Sequence, residues 1–258
     1  MTQTPIDAAY AAMCAAPDDD AARLRFHERL ADAELFLLLD SAPVGDQISP
    51  RLFQVEGGAV ALAFDREERL ADFAGEVAYV AMSGRALAGM MAGQSVGLGL
   101  NFNAPSETLI PAETLDWLTR TLGNTPAEIE AKPQELHPPA NLPEALLPSL
   151  DAKLAMAGGL ARMAYLSGVT YEGGRTGHLL GFVDVVPGAE DSLAALVGEA
   201  LTFSAIDAGE LDVGFFAPSH PICAQLAKVA LRFDLPKPQV PDGPAAPGTD
   251  PDKPPRLR

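Results

Sequence analysis

A proline-rich break near the middle of the chain is the feature that most constrains its fold. Residues 123–142 contain one glycine and four prolines, with few apolar residues after Ile129. Proline lacks a backbone N–H and fixes φ, so such a stretch ends helices and interrupts sheets. The break leaves residues 1–123 and 141–235, each the size of a small domain. We therefore predict two domains joined by a linker at 124–140.

The N-terminal segment carries the local signals of an α+β domain. Thr4, Pro5 and Asp7 predict a helix start, because threonine caps, proline suits the first turn and an acid follows three residues after the cap. The apolar run Leu35–Leu39 predicts a buried strand. The other predicted elements are a helix after Asp18–Asp20, a strand hairpin at 51–55 and 59–64, helices at 65–73 and 83–92, a strand at 77–82, a short strand and turn within 96–106, and a closing helix from Pro111 to Gly123.

The C-terminal segment predicts the order α-β-β-α-β-α. Asn141 resembles the cap of a first helix, and Ser219 the cap of the last one. The apolar stripe of 190–206 has full helical periodicity. The strands are expected at 160–171, 178–186 and 211–216. This order favours an antiparallel sheet with helices on one face. The predicted fold class is thus α+β, with two small domains, each a mainly antiparallel sheet packed with helices.

The end of the chain has a different composition. Residues 236–258 include eight prolines and almost no large apolar side chains. Such a segment buries too little surface to offset the entropy lost on ordering. We therefore predict a disordered Pro-rich tail.

The chain is strongly acidic, with 18 basic and 35 acidic residues and a net charge of −17. Residues 1–123 hold 8 basic and 18 acidic residues, and 124–235 hold 6 and 14, so both halves share the charge. A negative field repels phosphate backbones and anionic membrane surfaces. We expect no nucleic-acid partner and no membrane partner, whereas a basic protein partner suits this charge.

The sequence also bears on the compartment. Its first residues lack a basic segment followed by an apolar core, so no secretory signal is predicted. The run Leu35–Leu39 is far shorter than the roughly 20 apolar residues that span a bilayer. The two cysteines, Cys14 and Cys223, lie too far apart in sequence to indicate a disulfide framework. We expect free thiols and a cytoplasmic protein.

No set of residues predicts a catalytic or metal site. The chain has four histidines, at His27, His137, His178 and His220. None is spaced from another as metal ligands are, and His27 is expected to be solvated or part of a polar helix face. The most suggestive group is 219–223, where Cys223 near a helix start lies three residues from the His220 imidazole. Ser-x-Pro is also an ordinary helix start, so we assign no catalytic, cofactor-binding or metal-binding residue.

Ordered motifs in the N-terminal half carry a family resemblance. They are Arg25–Leu39, Ala61–Phe64, Arg69–Ala71, Tyr79–Leu87, Gly97–Asn103 and Ile110–Leu115. Over about residues 5–123 these motifs resemble the SseB, or enhanced serine sensitivity, family of bacterial proteins. Residues 141–235 resemble that family's C-terminal domain through weaker motifs. The family has no established catalytic residues, so the resemblance implies no site residue.

Two functional hypotheses follow. The first is a non-enzymatic binding or regulatory module that interacts with another protein, preferentially a basic one. The alternative is a small-molecule-binding protein or enzyme linked to serine or sulfur metabolism, as the family name implies. A small-molecule site would be expected at the glycine-rich loops 97–108 and 172–177 and at the helix start near Ser219. The loop 172–177 joins two strands, so a hairpin turn suits it better than a phosphate loop.

Overall fold

The computed structural model describes residues 3–43, 45, 47–56, 58–123, 133–172, 174–206 and 211–237. These residues form two mixed sheets with helices packed on them, which confirms the α+β class with two sheet units. None of the described helices is long and apolar enough to cross a membrane. The predicted Pro-rich tail lies outside the described residues from position 238 onward.

The first unit consists of residues on the N-terminal side of the proline-rich break. Its strands are β1 (Glu34–Leu38), β2 (Leu52–Val55), β3 (Gly58–Phe64), β4 (Tyr79–Ser83), β5 (Val96–Leu100) and β6 (Thr108–Ile110). Its helices are α1 (Pro5–Ala15), α2 (Asp20–Asp32), α3 (Glu67–Ala74), α4 (Gly84–Met91) and α5 (Ala112–Leu122). The strand order is β4-β1-β3-β5-β6, with β2 also beside β3. The β3–β5 pair is parallel and the other pairs are antiparallel.

Helices cover both faces of this first sheet. Leu30 of α2, Leu87 of α4 and Leu118 of α5 belong to the core on one face. Leu70 of α3 packs with Phe64 in the core of the other face. The alternation of side chains along a strand allows β1 and β3 to serve both cores.

The predicted start of α1 is confirmed in atomic detail. The hydroxyl of Thr4 accepts from the backbone N–H of Asp7 at 3.1 Å, and the Asp7 carboxylate accepts from the N–H of Thr4 at 3.0 Å. Each side chain thus satisfies a backbone donor that the first turn of a helix leaves unpaired. Asp19 caps α2 by accepting from the N–H of Ala21, as the acidic run before that helix predicts.

The second unit has strands β7 (Pro133–His137), β8 (Ala161–Tyr171), β9 (Thr176–Val185), β10 (Leu211–Phe216) and β11 (Leu231–Asp234). Its helices are α6 (Leu146–Met156), α7 (Glu190–Phe203) and α8 (Pro221–Val229). The strand order is β10-β9-β8-β11, with β7 also paired to β8. The β9–β10 pair is parallel and the other pairs are antiparallel. Residues 133–137, placed in the linker by sequence, therefore form a strand of this sheet.

The expectation of helices on one face of this sheet is wrong. Leu150 of α6 and Val197 of α7 pack on the face that carries Leu166. Leu226 of α8 packs on the opposite face, with Tyr165. Because Leu226 and Leu166 each lie in an apolar cluster, both faces of the sheet are buried in part.

Two predicted helix caps are also wrong. Helix α6 begins at Leu146, and Asn141 has a φ of 56°. A residue before proline is disfavoured in the helical region, so the Leu-Pro step after Asn141 delays the helix. Helix α8 is capped by His220 and not by Ser219, since Nδ1 of His220 accepts from the N–H of Ile222 at 3.2 Å. Proline takes the first helical position, which places the cap one residue before it.

The two units meet at a group of charged side chains, buried except for the exposed Arg85, which we call the inter-unit cluster: Glu28, Asp32, Arg85, Lys153 and Glu199. Lys153 is 1% exposed. Its Nζ lies 2.7 Å from Asp32 Oδ2 and 3.0 Å from Glu199 Oε2. Arg85 donates to both carboxylate oxygens of Glu199, at 2.9 and 3.0 Å. The cluster therefore joins α2 and α4 to α6 and α7.

Candidate functional site

A buried ion pair connects α1 to α3. Arg69 donates through both terminal nitrogens to Asp7, at 3.0 Å to Oδ1 and 2.6 Å to Oδ2. Each of the two side chains is 5% exposed. Arg69 also donates to Asp65 Oδ1 at 2.7 Å. This two-pronged geometry is the strongest that a guanidinium makes with a carboxylate.

Polar side chains from the turn after β5 complete the network. The Ser106 hydroxyl donates to Asp7 Oδ1 at 2.6 Å, and the Asn101 amide donates to Ser106 at 2.8 Å. Thr4 donates to Asp65 Oδ2 at 2.6 Å, and the Asp65 N–H donates back to Asn101 Oδ1 at 2.9 Å. Buried polar groups are tolerated when they are hydrogen-bonded in this way. The network fixes the turn that follows β5 against α1 and α3.

The surroundings of Asp7 favour its ionised form. Burial raises the pKa of the carboxyl, but the hydrogen bonds from Arg69, Ser106 and Thr4 outweigh burial, and the pKa falls well below its usual value. The hydrogen bond to Asp7 is the main cause of the raised pKa of Arg69. Both groups therefore remain charged at neutral pH.

A cavity of about 510 Å³ opens beside this ion pair, and we call it the N-terminal cavity. Its walls are supplied by α1, α3 and the turn after β5, and they consist of Gln3, Asp7, Ala11, Arg69, Asp72, Phe73, Phe102, Asn103, Ala104 and Pro105. Volumes of this size are typical of sites that hold small ligands or peptide side chains. The Phe73 and Phe102 rings lie edge to face, with centroids 6.2 Å apart.

The charges around the N-terminal cavity are predominantly negative. Asp7 and Asp65 together neutralise Arg69 and leave one negative charge in excess. Asp72 adds a second, and in the part of the chain that the structure describes it has no hydrogen-bond or ion-pair partner. The cavity thus combines aromatic walls with unneutralised carboxylate charge.

A smaller cleft of about 340 Å³ lies between the two units. Arg25, Glu28 and Arg29 of α2 line one side, and Ser149 of α6 and Phe203 of α7 line the other. Glu144 also lines the cleft, so two acids balance the two arginines. Burial is the main cause of the raised pKa of Glu28, and the charge of Lys153 offsets it in part.

The loops that sequence singled out for a small-molecule site do not meet in one place. Residues 102–105 of the first loop line the N-terminal cavity. The loop 172–177 joins β8 to β9 of the second sheet, and the start near Ser219 belongs to α8. The described residues that line either the cavity or the cleft include none from these two regions.

The structure does not give Cys223 the character of a reactive thiol. Burial raises the pKa of Cys223, which disfavours the thiolate. Its Sγ donates to the carbonyl of Ala217 at 3.4 Å, and Nδ1 of His220 is occupied by the N–H of Ile222. The imidazole therefore serves to cap α8, and the thiol bonds to a backbone carbonyl instead of to the imidazole.

His27 lies in a different environment from the solvated helix face that the sequence suggests. Its ring packs edge-on against Trp117, with centroids 5.5 Å apart, and its Nδ1 is buried without a hydrogen-bond partner in the described residues. Burial lowers the pKa of His27. Among the described residues, no group of three or more His, Cys, Asp or Glu is arranged to hold a metal ion.

Sequence reasoning missed the ion pair at the core of this site. Asp7 was explained by its role in the cap of α1, and Arg69 lies 62 residues away on a helix that is expected to be amphipathic. One local signal was present: Arg69 precedes Leu70 on the buried side of α3, where an arginine requires a partner.

The fold and the cavity define a two-sheet α+β protein with a ligand-sized pocket in its N-terminal unit. Residues 6–117 match the family of the SseB protein N-terminal domain. The match includes Asp7, Arg69 and the turn after β5, and it confirms the resemblance found for this half of the chain. None of the curated proteins and none of the solved structures is detectably similar to the chain.

Proposed function

We propose that this chain is a non-enzymatic binding module of the bacterial cytoplasm that interacts with a basic protein partner through its N-terminal cavity. The observation that carries this proposal is the cavity itself, which is about 510 Å³ in volume and is bordered by unneutralised acidic groups. The net charge of −17 supports a basic partner, because opposite charge steers two proteins together.

The polar groups at the bottom of the cavity support binding over catalysis. Asp7 and Arg69 are tied to each other and to the surrounding network, so neither is free to exchange a proton with a ligand. None of the described residues that line the cavity is a serine, cysteine, histidine, lysine or tyrosine. A hydroxyl, thiol or amine nucleophile with a histidine base is therefore not present among those residues.

The proposal is tested by filling the cavity. Ala11 and Ala12 are neighbouring exposed residues of α1, and only Ala11 lines the cavity. We expect Ala11→Trp to abolish capture of a partner from bacterial lysate, and Ala12→Trp to retain it, with quantitative mass spectrometry as the readout. The captured partner is then purified and titrated onto the full chain by calorimetry. Equal capture by both variants would contradict a role for the cavity.

The alternative function, a small-molecule-binding protein or enzyme linked to serine or sulfur metabolism, is favoured by the volume of the same cavity. A metabolite that stabilises the wild-type chain and Ala12→Trp, but not Ala11→Trp, in a thermal unfolding assay would support this alternative. Stabilisation by ligand follows from preferential binding to the native state.

The proposal extends to the second unit and to the compartment. We infer that residues 141–235 are an SseB C-terminal domain, supported by the motifs noted in the sequence and by a sheet unit separate from the first. The cytoplasmic location is supported by Cys14 and Cys223, which are both free.

A further inference from the structure

The rim of the N-terminal cavity places an acid beside aromatic rings. Asp72 follows Arg69 by one helical turn on α3 and is exposed at the cavity, next to Phe73. Phe102 comes from the turn after β5 and packs against Phe73. An aromatic face attracts a cation through its quadrupole, and a nearby carboxylate adds direct charge attraction.

The positive group already present in the cavity does not favour an anionic ligand. Both terminal nitrogens of Arg69 are engaged by Asp7, and one of them also by Asp65. An anion would meet the two carboxylates that line the cavity, those of Asp7 and Asp72, against this single neutralised guanidinium. A cation is attracted by the net negative charge of these same groups.

We propose that the N-terminal cavity binds an organic cation, the guanidinium or ammonium group of a basic side chain, between Asp72 and the Phe73–Phe102 pair. This inference rests on the proposed function and names the chemistry of its ligand. The cation has two sources, an arginine or lysine of a protein segment and a free small amine.

Three probes test this inference, and the two peptides among them are matched in length. The first is an acetylated, amidated hexapeptide with two central arginines, and the second is the same peptide with glutamines in place of the arginines. The third is butylguanidinium, which has the cation without a peptide backbone. Each is titrated onto the full chain by calorimetry. We expect the arginine peptide to bind and the glutamine peptide to give no heat of binding.

Two variants and their controls locate the cation. Asp72→Asn removes the charge at the rim of the cavity. We expect the arginine peptide to bind about fivefold more weakly, because this is the largest effect on affinity that one exposed ion pair usually has. Asp18→Asn makes the same chemical change at another exposed acid and is expected to leave the affinity within about twofold, because exposed charges at a distance are screened. Phe102→Leu is expected to weaken binding by about threefold through loss of the ring face. Phe215→Leu, at an exposed position of β10, is its control.

The outcomes separate this inference from the proposed function. Binding that depends on Asp72 and Phe102 supports the inference, whichever cationic probe shows it. If butylguanidinium bound as tightly as the peptide, the inference that the cavity binds a cation would stand, but the proposal of a protein partner would be contradicted. If Asp72→Asn and Asp18→Asn weakened the binding of the arginine peptide equally, binding would depend on the net charge of the chain, and the inference would be overturned. No binding of either cationic probe would also overturn it, while a partner lost only in Ala11→Trp would leave the proposed function standing.

Discussion

The Asp7–Arg69 pair shows how one buried charge depends on another. Taking a carboxylate and a guanidinium out of water is costly, and the cost is offset only when the geometry is good and the remaining polar atoms are satisfied. Here the two-pronged contact, Ser106 and the backbone of Thr4 meet most of that requirement. Removal of one partner therefore lowers the free energy of unfolding by more than the net contribution of the pair to stability.

We predict that Asp7→Asn lowers the free energy of unfolding by about 3 kcal/mol at neutral pH, because it leaves the buried Arg69 charge without its main counter-charge. Urea unfolding measures the change. Asp72→Asn removes an unpaired, exposed acid from the same cavity and is expected to change it by less than about 0.5 kcal/mol. Similar losses in the two variants would show that the ion pair does not carry the stability.

The same pair predicts how stability depends on pH. The native pKa of Asp7 is depressed below that of the unfolded chain. Its contribution is thus present above about pH 4, the unfolded-state value, and is lost as the pH falls through the native pKa. Wild-type stability should decline more steeply below about pH 4 than that of Asp7→Asn, which has no carboxyl to protonate there.

At the scale of elements, the contact between α2 and α4 depends on a glycine. The N–H of Gly84 donates to the carbonyl of Ala33 at 2.8 Å. A Cβ on Gly84 would lie 1.8 Å from the backbone oxygen of Leu30, which is far inside van der Waals contact. Only a residue without a side chain allows the first turn of α4 to approach the end of α2 this closely.

We predict opposite effects for two glycine-to-alanine changes in α4. Gly84→Ala is expected to cost about 3 kcal/mol or more, because the clash is with backbone and not with a movable side chain. Gly89→Ala in the same helix meets nothing within 4 Å and is expected to stabilise by about 0.5 kcal/mol through helix propensity. Urea unfolding of both variants checks the prediction, and loss of stability in Gly89→Ala would contradict it.

Local signals explain which elements were predictable from sequence. The Thr4 cap, the apolar run of β1 and the periodicity of α7 each depend on residues close in the chain, and each is confirmed. Strand β7 was missed because its prolines indicate a linker, whereas its backbone pairs with β8. The site could not be found in the same way, since Asp7 meets Arg69 only after α1 and α3 pack together.

At the scale of the whole molecule, the two units share a buried charge balance. Burial opposes ionisation of Glu199, but the hydrogen bond from Arg85 and the charge of Lys153 lower its pKa overall. Glu28 and Asp32 come from the first unit, whereas Lys153 comes from the second. Lys153 therefore neutralises acids of both units at once.

We predict that Lys153→Met lowers the free energy of unfolding by about 3 kcal/mol at neutral pH, because three buried carboxylates lose their common cation. The loss should shrink as the pH falls. Burial already raises the pKa of Glu28, and loss of the Lys153 charge, which offsets burial in part, raises it further. A group with a raised pKa contributes stability at low pH that is lost as the pH rises. Lys228→Met replaces an exposed lysine of α8 and serves as the control for urea unfolding. A pH-independent deficit would contradict this assignment.

The position of Lys153 limits how the two halves of this chain can be recombined with other proteins in evolution. The family match ends at residue 117, whereas the cation that neutralises Glu28 and Asp32 lies 36 residues further along. A gene rearrangement that moved the matched segment alone onto another chain would transfer Glu28 without its counter-ion and would leave Asp32 with Arg85 alone. The two halves of this protein therefore have to be exchanged together, or the acids at these positions have to change with the new neighbour.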